Sequence, residues 1–138
     1  MTRTFTATNT IEAIVAVIRD VSALVKAQGA SRRAMFITDL VLEEVLTNIV
    51  KYGYKDEARH EIEVIAKVDS GQVVLEFRDD GRHFDPLQAP SPTFGEPVAT
   101  QRLGGRGIHL VRRFVTDCSY QREDGRNILK IEYPLRAE

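Results

Sequence analysis

The chain has 138 residues, 43% of them hydrophobic, with 19 basic and 20 acidic residues and a net charge of −1. That length suggests one domain, with a core large enough to need neither disulfides nor a structural metal. The even mixture of charge argues against a nucleic-acid-binding protein, which would carry a basic patch.

Residues 2–8 alternate around Phe5 and predict a short edge strand. Asn9 or Thr10 can cap a helix in which Ile11, Ile14, Val15, Ile18, Val21 and Val25 keep helical spacing to about residue 28. Gly29 ends it and Ser31 caps the next, about 32–52. That second helix is apolar on most sides (Phe36, Ile37, Leu40, Val41, Val45, Leu46, Ile49, Val50) and should pack from more than one side. Strands are expected over about 61–68 and 72–79, joined by Asp69-Ser70-Gly71. From Asp80 to Gly105 lie all but one of the five prolines, four glycines and little periodicity, a long segment of the kind that carries function or is disordered. A helix over about 106–114 follows. Two last strands, about 115–122 and 127–133, flank the turn Glu123-Asp124-Gly125-Arg126. The layout predicts an α+β two-layer sandwich, with a mixed, mostly antiparallel sheet and helices on one face.

The single cysteine, Cys118, cannot form an internal disulfide and fits a reducing compartment, as a buried inert thiol. Met1 to Phe5 contains no apolar signal core, and no segment is apolar over a bilayer's thickness. The expectation is a cytoplasmic protein that binds neither membrane nor nucleic acid. His60, His83 and His109 are too scattered to predict a metal site.

Three stretches carry chemistry. Glu44 and Asn48 stand one helical turn apart on one face, interrupting an apolar stripe. A carboxamide oxygen suits Mg²⁺, and a nearby carboxylate suits proton abstraction from an attacking hydroxyl. Glu43 points elsewhere and reads as solvated. Taken alone, the pair better suits the wet edge of an ordinary amphipathic helix. Asp79 closes a strand, where a carboxylate can accept from an exocyclic amino group, and Gly81 allows backbone to pass close to a ring. Taken alone, Asp79-Asp80-Gly81 better suits a simple turn. Gly104, Gly105 and Gly107 precede a helix and would expose backbone N–H groups to phosphate, with Arg102 and Arg106 adding charge. They equally suit a hinge. The run is neither a P-loop nor a dinucleotide fingerprint, since no Lys-Ser or Lys-Thr follows and no βαβ unit surrounds it.

Taken in order, these stretches resemble the three boxes of the GHKL (Bergerat-fold) ATP-binding domain. In its short single-domain form the chain is similar to the anti-sigma-factor serine kinases of bacterial partner-switching systems. Glu44 to Asn48 resembles the N box, Asp79-Asp80-Gly81 through Phe84-Asp85 the G1 box, and Gly104-Gly105-Arg106-Gly107-Ile108 the G2 box. The resemblance spans almost the whole chain and implies one domain over 1–138, with an ATP lid at about 86–105. It implies ATP or ADP and Mg²⁺ as cofactors. Asn48 would hold the Mg²⁺, Glu44 would be the general base toward a serine hydroxyl, and Asp79 would bind the adenine amino group. Gly81, Phe84, Gly104, Gly105, Arg106, Gly107 and Ile108 would shape the nucleotide site. The implied substrate is a STAS-domain antagonist protein. The other implied partner is a sigma factor or another effector held inactive, and the implied assembly is a homodimer. A nucleotide-gated sequestering module with weak or no kinase activity is the alternative. The chain departs from the pattern in two places. His83 stands where a second G1 glycine is common, and the last strand, Ile128 to Tyr133, has no threonine to sit beside the adenine-binding aspartate.

Overall fold

A computed structural model describes residues 1–83, Asp85 and residues 105–136, with the backbone alone over 105–109. The elements in chain order are β1 (Thr2–Thr8), α1 (Ile11–Ala27), α2 (Arg32–Tyr52), β2 (Glu61–Asp69), β3 (Gln72–Asp79), α3 (Gly105–Phe114), β4 (Asp117–Glu123) and β5 (Arg126–Pro134). Residues 86–104 of the expected lid, Gly104 among them, and Phe84 lie outside the described residues, whereas Gly105 begins α3.

Local chemistry sets these boundaries. The Thr10 and Ser31 hydroxyls accept from the N–H groups of Ala13 and Ala34, capping α1 and α2. Gly29, at φ +92°, lets the chain turn after α1. The hairpin turns place Ser70 and Gly71 at φ 52° and 78°, and Asp124 and Gly125 at 52° and 76°. Two consecutive positive φ values match the right-handed twist of the flanking strands.

The five strands form one sheet in the order β1-β2-β3-β5-β4. Where the sequence suggests a mixed sheet, every described pairing is antiparallel. The reason lies in the crossover. The segment from β3 through α3 places β4 at the far edge, and the tight β4–β5 hairpin then folds β5 back between them. Thus β3 and β4 run the same way without touching.

Alternate residues of β2, β3 and β5 (Val64, Ala66; Leu75, Phe77; Leu129, Ile131) are buried on one face. They pack with Val17, Val21 and Val25 of α1 and Ile37, Val41 and Leu46 of α2 in one core. The two-layer sandwich with helices on one face is as the sequence predicts. Within this core the Thr38 hydroxyl meets both the Ala34 carbonyl and the Tyr133 hydroxyl, so these two buried hydroxyls are paired. Cys118 is half-buried, and burial pushes its thiol pKa up, which disfavours the nucleophilic thiolate.

Candidate nucleotide site

A cleft opens where the C-terminal half of α2 lies over the ends of β3, β4 and β5. It is lined by Val45, Asn48, Ile49 and Gly53 from above, and by Phe77, Asp79, Arg82, Tyr120, Asn127 and Leu129 from the sheet side. The helix contributes residues at i, i+3, i+4 and i+8, which share one face. The strands contribute only their inward positions, so the core's apolar surface continues into the cleft wall.

Asp79 sits at the inward end of β3, 5% exposed. Its Oδ1 accepts from the Gly81 backbone N–H at 2.9 Å and from the Asn127 side-chain amide at 3.0 Å. Its Oδ2 makes no hydrogen bond among the described residues. Burial pushes the carboxyl pKa up. The two donors, together with the Arg122 guanidinium, pull it back toward the ionised form. An acceptor oxygen without a donor, at the floor of an apolar cleft, calls for a ligand that brings an N–H.

Gly81 is buried for a reason different from the one its sequence suggests. A Cβ there would lie 2.6 Å from the Gly53 carbonyl oxygen and 2.8 Å from Asp79 Oδ1. The missing side chain lets two stretches of backbone meet, and the Arg82 N–H donates to the Gly53 carbonyl at 2.8 Å. Among the described residues Gly81 therefore shapes the Asp79 carboxylate rather than the cleft wall.

Glu44 and Asn48 are both half-buried on one side of α2, whereas Glu43 is exposed as expected. Asn48 lines the cleft and Glu44 lies one turn nearer the helix N-terminus. Neither side chain makes a hydrogen bond among the described residues. Desolvation, then the neighbouring Glu43, raises the Glu44 carboxyl pKa, and Lys51 opposes the shift. A carboxylate shifted this way is a stronger base. Of the glycine stretch, Gly105, Arg106, Gly107 and Ile108 form the first turn of α3 by their backbone.

The residues present fit a nucleotide with Mg²⁺. Asp79 Oδ2 fits an exocyclic amine. Asn48 offers a hard oxygen, and no group of three or more acidic, histidine or cysteine side chains among the described residues forms a protein metal cage. Such a donor set suits an ion that arrives with phosphates and keeps water.

Beside the cleft, His60 bridges two carboxylates. Its Nε2 meets Asp56 at 2.8 Å, its Nδ1 meets Asp80 at 3.1 Å, and the Tyr54 ring stacks on it at 4.2 Å. The two hydrogen-bonded carboxylates raise the imidazole pKa, and the Asp56 carboxyl is lowered in turn. Because the folded-state value is raised, this contribution to stability is complete below the ordinary histidine value of about 6.5. It is lost as pH rises through the folded value. Thermal melts between pH 6 and 8 should show a small loss of stability with rising pH that His60→Gln reduces, since the pairs are partly exposed. Equal slopes for the two proteins would remove the bridge from the account.

Sequence reasoning missed Asn127, Tyr120, Arg122, Arg82 and Gly53. Asn127 carried a usable signal. It shares the parity of Leu129, Ile131 and Tyr133, so a polar residue falls on the buried face and must have partners. Arg122 and Tyr120 carried none, because their role depends on β4 lying beside β5.

With this geometry in place, the comparisons with known proteins are direct. The chain belongs to the histidine kinase-like ATPase domain family, which matches residues 7–133. It is 34% identical over 101 residues to the serine/threonine-protein kinase BtrW of Bordetella bronchiseptica, covering 73% of this chain and 71% of the relative. It is 26% identical over 116 residues to the serine-protein kinase RsbW of Listeria innocua, covering 81% and 74%. The fold matches a crystal structure of the RsbU and RsbW domains of a Mycobacterium tuberculosis protein with a TM-score of 0.70 at 18% identity. That match covers 98% of this chain and 32% of the other, so the chain spans about a third of that protein. A weaker match is the histidine kinase AdeS of Acinetobacter baumannii, with a TM-score of 0.52 at 15% identity.

Proposed function

We propose that this chain is a Mg²⁺- and ATP-dependent serine-protein kinase of a bacterial partner-switching system. It phosphorylates a serine of a STAS-domain antagonist and holds a sigma factor or other effector inactive. It works as a single-domain cytoplasmic homodimer with its lid at about 86–105. The observation that carries this reading is the half-satisfied carboxylate of Asp79, set in an apolar cleft beneath the helix that bears Asn48 and Glu44. Two relatives named as serine-protein kinases support it, as does the ATPase family itself. Among the described residues no helix is long and apolar enough to cross a membrane.

In this reading Asp79 accepts from the adenine amine, and Asn48 holds the metal beside the phosphates. The backbone N–H groups of Gly105, Arg106 and Gly107 face phosphate at the start of α3. When bound, Mg·ATP supplies the phosphoryl group and a cation that neutralises charge on it. Glu44 would orient the substrate serine and take up its hydroxyl proton, while ADP departs with the electron pair of the phosphate bond that is broken. The proposal is tested with radiolabelled ATP, Mg²⁺ and a purified STAS-domain protein. Transfer of label to a serine is the expected result. Nucleotide-dependent association without transfer would replace the kinase with the sequestering module.

A further inference from the structure

Asn127 stands directly opposite Asp79 in the β3–β5 register and is 6% exposed. Its side-chain amide donates to Asp79 Oδ1 at 3.0 Å and to the Arg82 carbonyl at 2.9 Å. Its Oδ1 accepts from the Tyr120 hydroxyl, and from Arg122 Nη1 at 3.0 Å. This orientation is dictated by chemistry. A guanidinium only donates and a backbone carbonyl only accepts, so the amide cannot flip without losing both. Arg122 is itself held by the Gly81 carbonyl at 2.8 Å.

We propose that Asn127, braced by Tyr120 and Arg122, is the positioning residue that sets the purine selectivity of the cleft, by committing Asp79 Oδ1 inward and leaving only Oδ2, as an acceptor, for the ligand. The inference rests on the reading of Asp79 as the base-binding carboxylate. Oδ1 receives two donors, from Gly81 and Asn127. Oδ2 receives none among the described residues. A ligand amine satisfies Oδ2, as in adenine. A ligand carbonyl at the same place, as in guanine, would set acceptor against acceptor in a buried site. A threonine at this place could either donate or accept. The braced amide presents only N–H, so it favours the ionised, accepting form of Asp79 and counters the upward pull of burial on its pKa.

The test uses calorimetric affinities for ADP and GDP. Asn127→Asp keeps the shape and replaces the donor with a second carboxylate, which would share a proton with Asp79. The expected result is a loss of ADP affinity of about tenfold or more at pH 7.5 with little change for GDP. The ADP-to-GDP ratio should depend on pH more steeply than in the wild type. A residue that only held the fold would weaken both nucleotides together and leave the ratio fixed. Tyr120→Phe, which removes one brace and keeps the ring, should lower the ratio a few-fold and decides the matter if Asn127→Asp fails to fold. A wild-type protein that binds both nucleotides equally would overturn the base-binding role of Asp79 itself. A wild type that prefers ADP, with the ratio unaltered in the folded variants, would overturn the role of Asn127 alone.

Discussion

Glu44→Gln abolishes phosphoryl transfer to the serine substrate while ADP and ATP bind as tightly as before. The expected fall in the single-turnover rate is about 10²- to 10⁴-fold, the range for removing a positioned general base. The substitution keeps volume and hydrogen-bonding capacity, so the half-buried position on α2 is not vacated. What disappears is a carboxylate whose pKa desolvation and Glu43 have already raised toward that of a working base. Glu43→Gln is the matched control. Glu43 is exposed and acts on Glu44 only as a neighbouring charge, so its replacement should cost transfer far less than Glu44→Gln. Equal loss in the two variants, or no loss in Glu44→Gln, would remove the base from Glu44.

Asn48→Ala should separate the metal from the base of the nucleotide. ATP affinity measured with Mg²⁺ is expected to fall about 10- to 100-fold, the cost of losing an interaction with a charged partner. Affinity for ADP measured in chelator should change little, because Asp79, Asn127 and the apolar walls are untouched. Asn48 makes no hydrogen bond among the described residues, so its truncation orphans no described partner and the fold should persist. Identical affinities in chelator and in Mg²⁺ for wild type and variant would end the metal assignment.

Most of the architecture was legible from the residues, for definite reasons. The Thr10 and Ser31 caps, Gly29 after α1 and the two hairpin turns are local signals, and each element ends within about two residues of where they place it. The long apolar sequence of α2 correctly announced a helix packed from more than one side, against α1, α3 and the sheet. The all-antiparallel sheet was not legible. Strand order depends on where a crossover lands, and nothing local in β4 says that it occupies an edge. The site divides in the same way. Asp79 lies at a strand end two residues before Gly81, and Glu44 with Asn48 interrupts a stripe, so both candidates can be picked out by position. The brace behind Asp79 joins residues 79, 122 and 127 through two strand pairings, and a linear reading cannot see it. The close approach of Gly81 to Gly53, 28 positions earlier in the chain, is likewise invisible to a linear reading.

That approach has a mechanical consequence. The turn after β3 and Gly53, the residue that caps the long helix at its C-terminus, abut through bare main chain, with no flexible side chain between them to absorb strain. A purine that draws the Asp79 turn by a fraction of an ångström must therefore carry the far end of α2 with it. On the proposed reading the same helix bears the amide and the carboxylate that meet the phosphates, so the two ends of the cleft are joined through α2. An inhibitor confined to the purine end could on this basis misalign phosphoryl transfer without ever reaching it.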